Sequence, residues 1–154
     1  MDTSALAAGK PLEGRLALVT GANRGLGLAI AEDLARNGAM IAAVSRDAMR
    51  DGEALERIAA IGGVVKRFQA DLRLEVEIEQ LVDDVNEEFG RVDIIVNNAG
   101  ITREEGIQTE TLQGWQDILA TNLTAPFLLV RHAVKYLVSS SGASIVNIGS
   151  ILGS

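Results

Sequence analysis

The chain of 154 residues has no cysteine and a single histidine, His132. Thiolate nucleophiles, disulfides and the usual Cys/His zinc sites are thereby excluded. Aromatic residues are only 3% of the chain, so any core must be aliphatic. Positive charge is also short: 14 Lys+Arg against 21 Asp+Glu leave a net charge of -7. That is the wrong sign for a protein whose main partner is a nucleic-acid backbone, although a few clustered cations can still hold a small anion. No run of about 18 apolar residues occurs, and Met1 to Lys10 lacks the basic start and apolar stretch of a secretion signal. Neither nucleic acid nor membrane is an expected partner, and a cytoplasmic location is expected.

What is present is 47% hydrophobic and 23% charged sequence without Pro-, Ser- or Gln-rich tracts, which fits one soluble folded domain. Arg15 to Thr20 is a short apolar run ending at Gly21. Leu26, Ile30 and Leu34 then recur at helical spacing until Gly38, so the order is strand, tight turn, helix. The alternation continues with a strand over Met40 to Val44, a helix over Asp47 to Ala60 weakened by Gly52, and a strand over Val64 to Gln69. Leu74, Ile78, Leu81, Val82, Val85 and Phe89 form a helical stripe closed by Gly90, with carboxylates around its other sides. Val92 to Val96 reads as a buried strand, Leu112 to Val138 as a long helical region and Ser144 to Ile148 as the last strand.

Strict alternation of strands and helices predicts an α/β domain with a parallel sheet, right-handed crossovers and helices on both faces. The expected strand order is 3-2-1-4-5. No second domain is supported, and residues 1–14 read as a loose N-terminal leader before a domain over residues 15–154.

Thr20 to Gly27 reads TGANRGLG and joins the first strand to the first helix. Glycines there let phosphate oxygens approach backbone N–H groups at a helix N-terminus, so the turn points to a dinucleotide. The spacing is not G-x-G-x-x-G. It resembles the T-G-x-x-x-G-x-G of the short-chain dehydrogenase/reductase family. Asn97-Asn98-Ala99-Gly100 matches that family's N-N-A-G motif, Asn122 sits at its helical asparagine, and Val146 to Ser150 matches its serine-bearing strand end. The details look most like 3-oxoacyl-acyl-carrier-protein reductases and related carbonyl reductases. The resemblance implies a Rossmann-type doubly wound sheet, a nicotinamide cofactor bound by Gly21, Asn23, Arg24, Gly25, Leu26, Gly27, Asn98, Ala99 and Gly100, and a carbonyl or secondary-alcohol substrate. Asp71 and Leu72 match the family's adenine-contacting pair, although Asp71 is equally explained as a helix cap.

The choice of cofactor turns on the end of the second strand. An acidic side chain there would accept the ribose hydroxyls of NAD and repel the 2'-phosphate of NADP. Here the position is Ser45, followed by Arg46, with Arg24 able to reach the same region. Two guanidiniums suit a phosphate, so NADP(H) is favoured over NAD(H). The plainer alternative makes both arginines solvated surface residues, with Asp47 partly neutralising Arg46.

By the same resemblance, Ser150 would bond the substrate oxygen and Asn122 would hold a relay water through its main-chain carbonyl. Pro126 gives that a physical basis, because it has no N–H for the carbonyl four residues earlier and its ring crowds that group. A simple helix break is the rival explanation, and a loop serine that for Ser150. The family's Tyr-x-x-x-Lys would lie beyond Ser154. Tyr136 is followed four residues later by Ser140, and neighbouring Lys135 points about 100° away on a helix, so Tyr136 is not expected to be the proton donor. The 154 residues alone are expected to be nearly inactive, and the last strand to form an exposed apolar edge.

His132 reads as structural, the carboxylates of residues 75–88 as a solvated helix face, and Trp115 with Leu112, Ile118 and Leu119 as core packing. The expected function is an NADP-dependent short-chain oxidoreductase, its sequence incomplete relative to the family; the resemblance leaves a homo-oligomer of a full-length chain open, and the sequence does not give the oligomeric state. The alternatives are a non-catalytic NADP(H)-binding module or partner subunit, and a truncation unable to hold its fold.

Overall fold

The computed structural model describes residues 9–47, 52–104 and 106–150. Its described elements are strand β1 (Leu16–Thr20), helix α1 (Gly25–Arg36), β2 (Met40–Ser45), α2 (Gly52–Ala60), β3 (Val65–Gln69), α3 (Glu75–Phe89), β4 (Ile94–Asn97), α4 (Leu112–Leu119), a π-helical turn (Ala120–Thr124), α5 (Ala125–Leu137) and β5 (Ser144–Asn147). The strands form one sheet in the order β3-β2-β1-β4-β5, and every pairing is parallel. The fold class and strand order read from the sequence are those observed. The second helix, expected from Asp47, is described from Gly52; Asp47 itself is not helical, and residues 48–51 lie outside the described residues.

Alternation along β1 explains the layers. Leu16 and Leu18 point into a core shared with α3 and α5, through Ile78, Leu81, Val82, Val85 and Leu129. Ala17 and Val19 point the other way, against Ala31 and Ala35 of α1 and Ile58 of α2. A strand buried on both faces favours apolar residues throughout, and all five β1 residues are buried, the first four of them apolar.

The N-terminal edges of three strands meet at one carboxylate. Asp93, 1% exposed, accepts the Leu16 N–H at 2.8 Å on Oδ2 and the Ser140 hydroxyl at 2.7 Å on Oδ1. Arg91 donates Nε to Oδ2 at 2.6 Å and Nη2 to Oδ1 at 2.7 Å. Burial pushes this carboxyl up, but the bonds from Arg91, Ser140 and Leu16 outweigh it and hold the pKa at about 2.

Three expectations change. Residues 10–14, read as part of a loose leader, are docked: the Leu12 N–H donates to the Asn37 carbonyl at 2.9 Å, and Leu12 packs against the α1 side of the core. The long helical region is interrupted by the π turn, in which the Ala125 N–H donates to the carbonyl of Ala120, directly before Pro126. A proline that cannot donate and crowds the preceding turn favours that wider winding. Trp115 and its neighbours are not core: Leu112 is 71% and Trp115 53% exposed on α4, and Phe127 of α5 is 62% exposed.

Among the described residues β5 pairs with β4 alone, and all of its residues are exposed, as the sequence reading expects of the last strand. No helix of the described residues is long and apolar enough to cross a membrane.

Candidate cofactor cleft

Parallel strands carry their following loops to one edge of the sheet, and there a cleft of about 480 Å³ opens. All thirteen residues that the sequence reading assigns to cofactor binding line it: Gly21, Asn23, Arg24, Gly25, Leu26 and Gly27 after β1, Ser45 and Arg46 after β2, Asp71 and Leu72 after β3, and Asn98, Ala99 and Gly100 after β4.

The glycine positions have separate causes. Gly21 and Gly25 adopt positive φ, 66° and 55°, which only glycine takes without strain. A Cβ at Gly27 would collide with the Gly21 carbonyl and the Asn98 side-chain amide, so Gly27 is fixed by the closeness of α1 to the β4 loop. At Gly25 nothing of the protein lies within 4 Å of a Cβ, and the open space is the cleft itself. The first turn of α1 has no side-chain cap and no acidic residue. Its N-terminal N–H groups therefore carry no competing anion from the described residues, which suits them to a phosphate.

Thr20 ties this turn to the N-N-A-G turn. Its hydroxyl accepts the N–H groups of Asn98 at 3.0 Å and Ala99 at 2.9 Å and donates to the Val96 carbonyl at 3.3 Å. Asn98 returns a bond from Nδ2 to the Thr20 carbonyl at 2.9 Å. Asn97 donates to the Asn147 side-chain oxygen across to β5 at 2.8 Å. The sequence reading takes Thr20 as the end of a strand and the first residue of the glycine motif, without giving its hydroxyl a role; a hydroxyl closing an otherwise apolar run, here 1% exposed, is the signal that could have marked it.

Arg73 is also absent from the sequence reading. It lines the cleft and holds the Asp71 carboxylate by a fork, Nη2 to Oδ2 at 2.6 Å and Nε to Oδ1 at 3.0 Å. Its Nη1 reaches Asp117 of α4 at 3.3 Å. The Arg73 bonds keep the Asp71 carboxyl below its ordinary range despite burial. Arg24 and Arg46 are exposed at the cleft.

The two residues expected to have catalytic roles do not line the cleft. Asn122 lies in the π turn, where its side chain exchanges two bonds with the Ile101 backbone, Nδ2 to the carbonyl and the N–H to Oδ1, each 2.9 Å. That leaves its side chain committed to shaping the loop after N-N-A-G. Ser150 lies beyond β5 and is exposed.

Tyr136 is elsewhere, donating to Asp83 of α3 at 3.1 Å beside Lys135. His132 stands 3.5 Å from Glu75, and no metal-binding group of carboxylates or histidines occurs among the described residues.

A parallel sheet of this order, with a glycine turn at an uncapped helix start and a cleft across the strand ends, defines a Rossmann-type doubly wound domain. The short chain dehydrogenase family model matches residues 15–154, and the chain belongs to that family. It is 38% identical over 142 residues to the 3-oxoacyl-acyl-carrier-protein reductase FabG of Vibrio cholerae, covering 92% of this chain and 57% of that protein. It is 37% identical to the D-threitol dehydrogenase of Mycolicibacterium smegmatis, over 90% of this chain and 54% of that one. A solved metagenomic short-chain oxidoreductase in complex with NADP superposes with a TM-score of 0.87 at 34% identity, covering 91% of this chain and 64% of the other. The chain thus spans little more than half the length of the curated relatives it matches.

Proposed function

We propose that the chain binds NADP(H) in this cleft and forms the cofactor-binding part of an oxidoreductase that moves a hydride between nicotinamide and a carbonyl or secondary alcohol. The observation that carries the reading is the cleft's chemistry: an uncapped α1 start with open space at Gly25, flanked by Arg24 and Arg46, with Ser45 where an NAD-selective site needs a carboxylate. Similarity to 3-oxoacyl-acyl-carrier-protein reductases makes a 3-oxoacyl thioester the favoured substrate class.

The bound cofactor supplies the hydride. Backbone N–H groups at the start of α1 take its pyrophosphate, Arg24 and Arg46 the 2'-phosphate, and Asp71 and Leu72 the adenine rim. Asn98, Ala99 and Gly100 wall the cleft beside the turn. Ser150 holds the substrate oxygen, and Asn122 holds a relay water through its main-chain carbonyl while its side chain secures Ile101. Titration calorimetry with NADPH and NADH tests the binding step. NADPH binding at least about tenfold tighter than NADH is expected, the size of one added charge-assisted contact. Absence of NADPH binding to folded protein would overturn the proposal.

A further inference from the structure

Among the described residues, three arginines line the cleft, but they differ in what they are free to do. Arg73 spends its fork on Asp71 and its remaining Nη on Asp117, so two carboxylates already neutralise it. The Arg24 and Arg46 side chains form no hydrogen bond or ion pair with another described residue. Asp71 lies close to Arg46 by construction of the sheet. β2 and β3 run in register with Ser45 opposite Gln69, and the Ala70 N–H donates to the Ser45 carbonyl at 3.2 Å. Arg46 and Asp71 therefore follow the ends of neighbouring strands, which are about 4.8 Å apart. The Arg73 fork is the main reason the Asp71 carboxyl sits below its ordinary range, and the Arg46 charge adds to it.

We infer that Arg73 is a specificity-determining residue that acts through Asp71: by holding that carboxylate it prevents Asp71 from pairing with Arg46, and so keeps Arg46 available to a 2'-phosphate. This rests on the NADP(H) reading above and deepens it. The Arg73 N–H also bonds Asp71 Oδ1 at 3.1 Å, so the carboxylate is turned toward Arg73 by the backbone of its own loop as well as by the guanidinium. Without the guanidinium, Asp71 and Asp117 become unneutralised carboxylates, and Arg46 is the remaining cleft cation whose charge acts on Asp71. An ion pair formed there competes with the cofactor's phosphate, whereas NADH, which lacks that phosphate, loses little.

The test is a double-mutant cycle read as dissociation constants for NADPH and NADH by calorimetry, at one ionic strength because exposed charges are screened. Arg73→Met is expected to weaken NADPH by about tenfold and NADH by less than about threefold, the scale of one partly screened charge pair. Asp71→Asn added to Arg73→Met removes the competitor and is expected to restore the NADPH to NADH ratio to within about threefold of wild type. Asp117→Asn, which leaves the fork on Asp71 intact, is expected to leave that ratio unchanged.

Equal losses for both cofactors in Arg73→Met, or no recovery in the double variant, would overturn the inference while leaving the NADP(H) reading in place. Wild-type protein that binds neither cofactor, or prefers NADH, would overturn both. Should Arg73→Met fail to fold by circular dichroism, Arg73→Lys carries the same test, because it loses the fork and is expected to narrow the ratio.

Discussion

Replacing Asp93 by asparagine tests how far one buried carboxylate holds three strands together. The fall of its pKa from 3.8 to about 2 corresponds to about 2 kcal/mol of stability, since the charged form is favoured in the fold. The substituted amide would keep one acceptor oxygen, enough for the buried Leu16 N–H, but would lose the charge and the second oxygen that complete the Arg91 fork and the Ser140 bond. A loss of about 2 to 3 kcal/mol at about pH 7 is expected from these charge-assisted bonds.

The sign with pH follows from the depressed value. The contribution is fully present above the unfolded value, 3.8, and disappears as pH falls through about 2. Urea unfolding followed by far-ultraviolet circular dichroism, run for both proteins from about pH 7 down to about pH 2.5, should show a gap that is constant at first and then narrows below about pH 4. A variant within about 0.5 kcal/mol of wild type at about pH 7, or a gap that does not narrow in acid, would refute the account.

The cleft gives further expectations. Gly25→Ala meets no protein atom within 4 Å, so it should cost only about 1 kcal/mol for the positive φ while weakening NADPH and NADH alike, measured by urea melts and calorimetry. Gly27→Ala, which drives a Cβ into the Gly21 carbonyl and Asn98, should destabilise the fold itself by about 2 kcal/mol or more in the same melts. Thr20→Val removes the acceptor of two N–H groups and should cost about 2 to 4 kcal/mol, with faster amide hydrogen exchange at Asn98 and Ala99. Arg46→Asp should weaken NADPH by at least about tenfold and spare NADH, because it sets a carboxylate against the 2'-phosphate; equal losses would remove Arg46 from that role.

Much of the molecule was legible in the chain because short-range physics writes it there. Short apolar runs bounded by turn residues read as strands, and their alternation with amphipathic helices leaves a parallel sheet with one crowded edge of loops. The TGANRGLG turn was legible for the same reason, since positive φ at Gly21 and Gly25 is a local demand. The stripe of Leu112, Trp115 and Leu119 misled because periodicity marks which face of a helix is apolar and says nothing of what covers it. In the fold that face looks outward.

The sequence by itself determined the element order, the strand order, the position of the cleft and its family. Each of these follows from patterns within about 10 to 20 residues or from the handedness of crossovers. Only the tertiary structure decided which partners the side chains take across the chain. Asp93 bonding Leu16, Thr20 bonding the N-N-A-G turn, Asn122 holding Ile101, and Arg73 bridging Asp71 and Asp117 all depend on loops that meet only after the sheet has assembled. Arg73 carried no periodic or motif signal for its role, and the motif that includes Thr20 did not name the partners of its hydroxyl. Hydrogen-bond partners are set by distance in space, and no spacing along the chain encodes that distance.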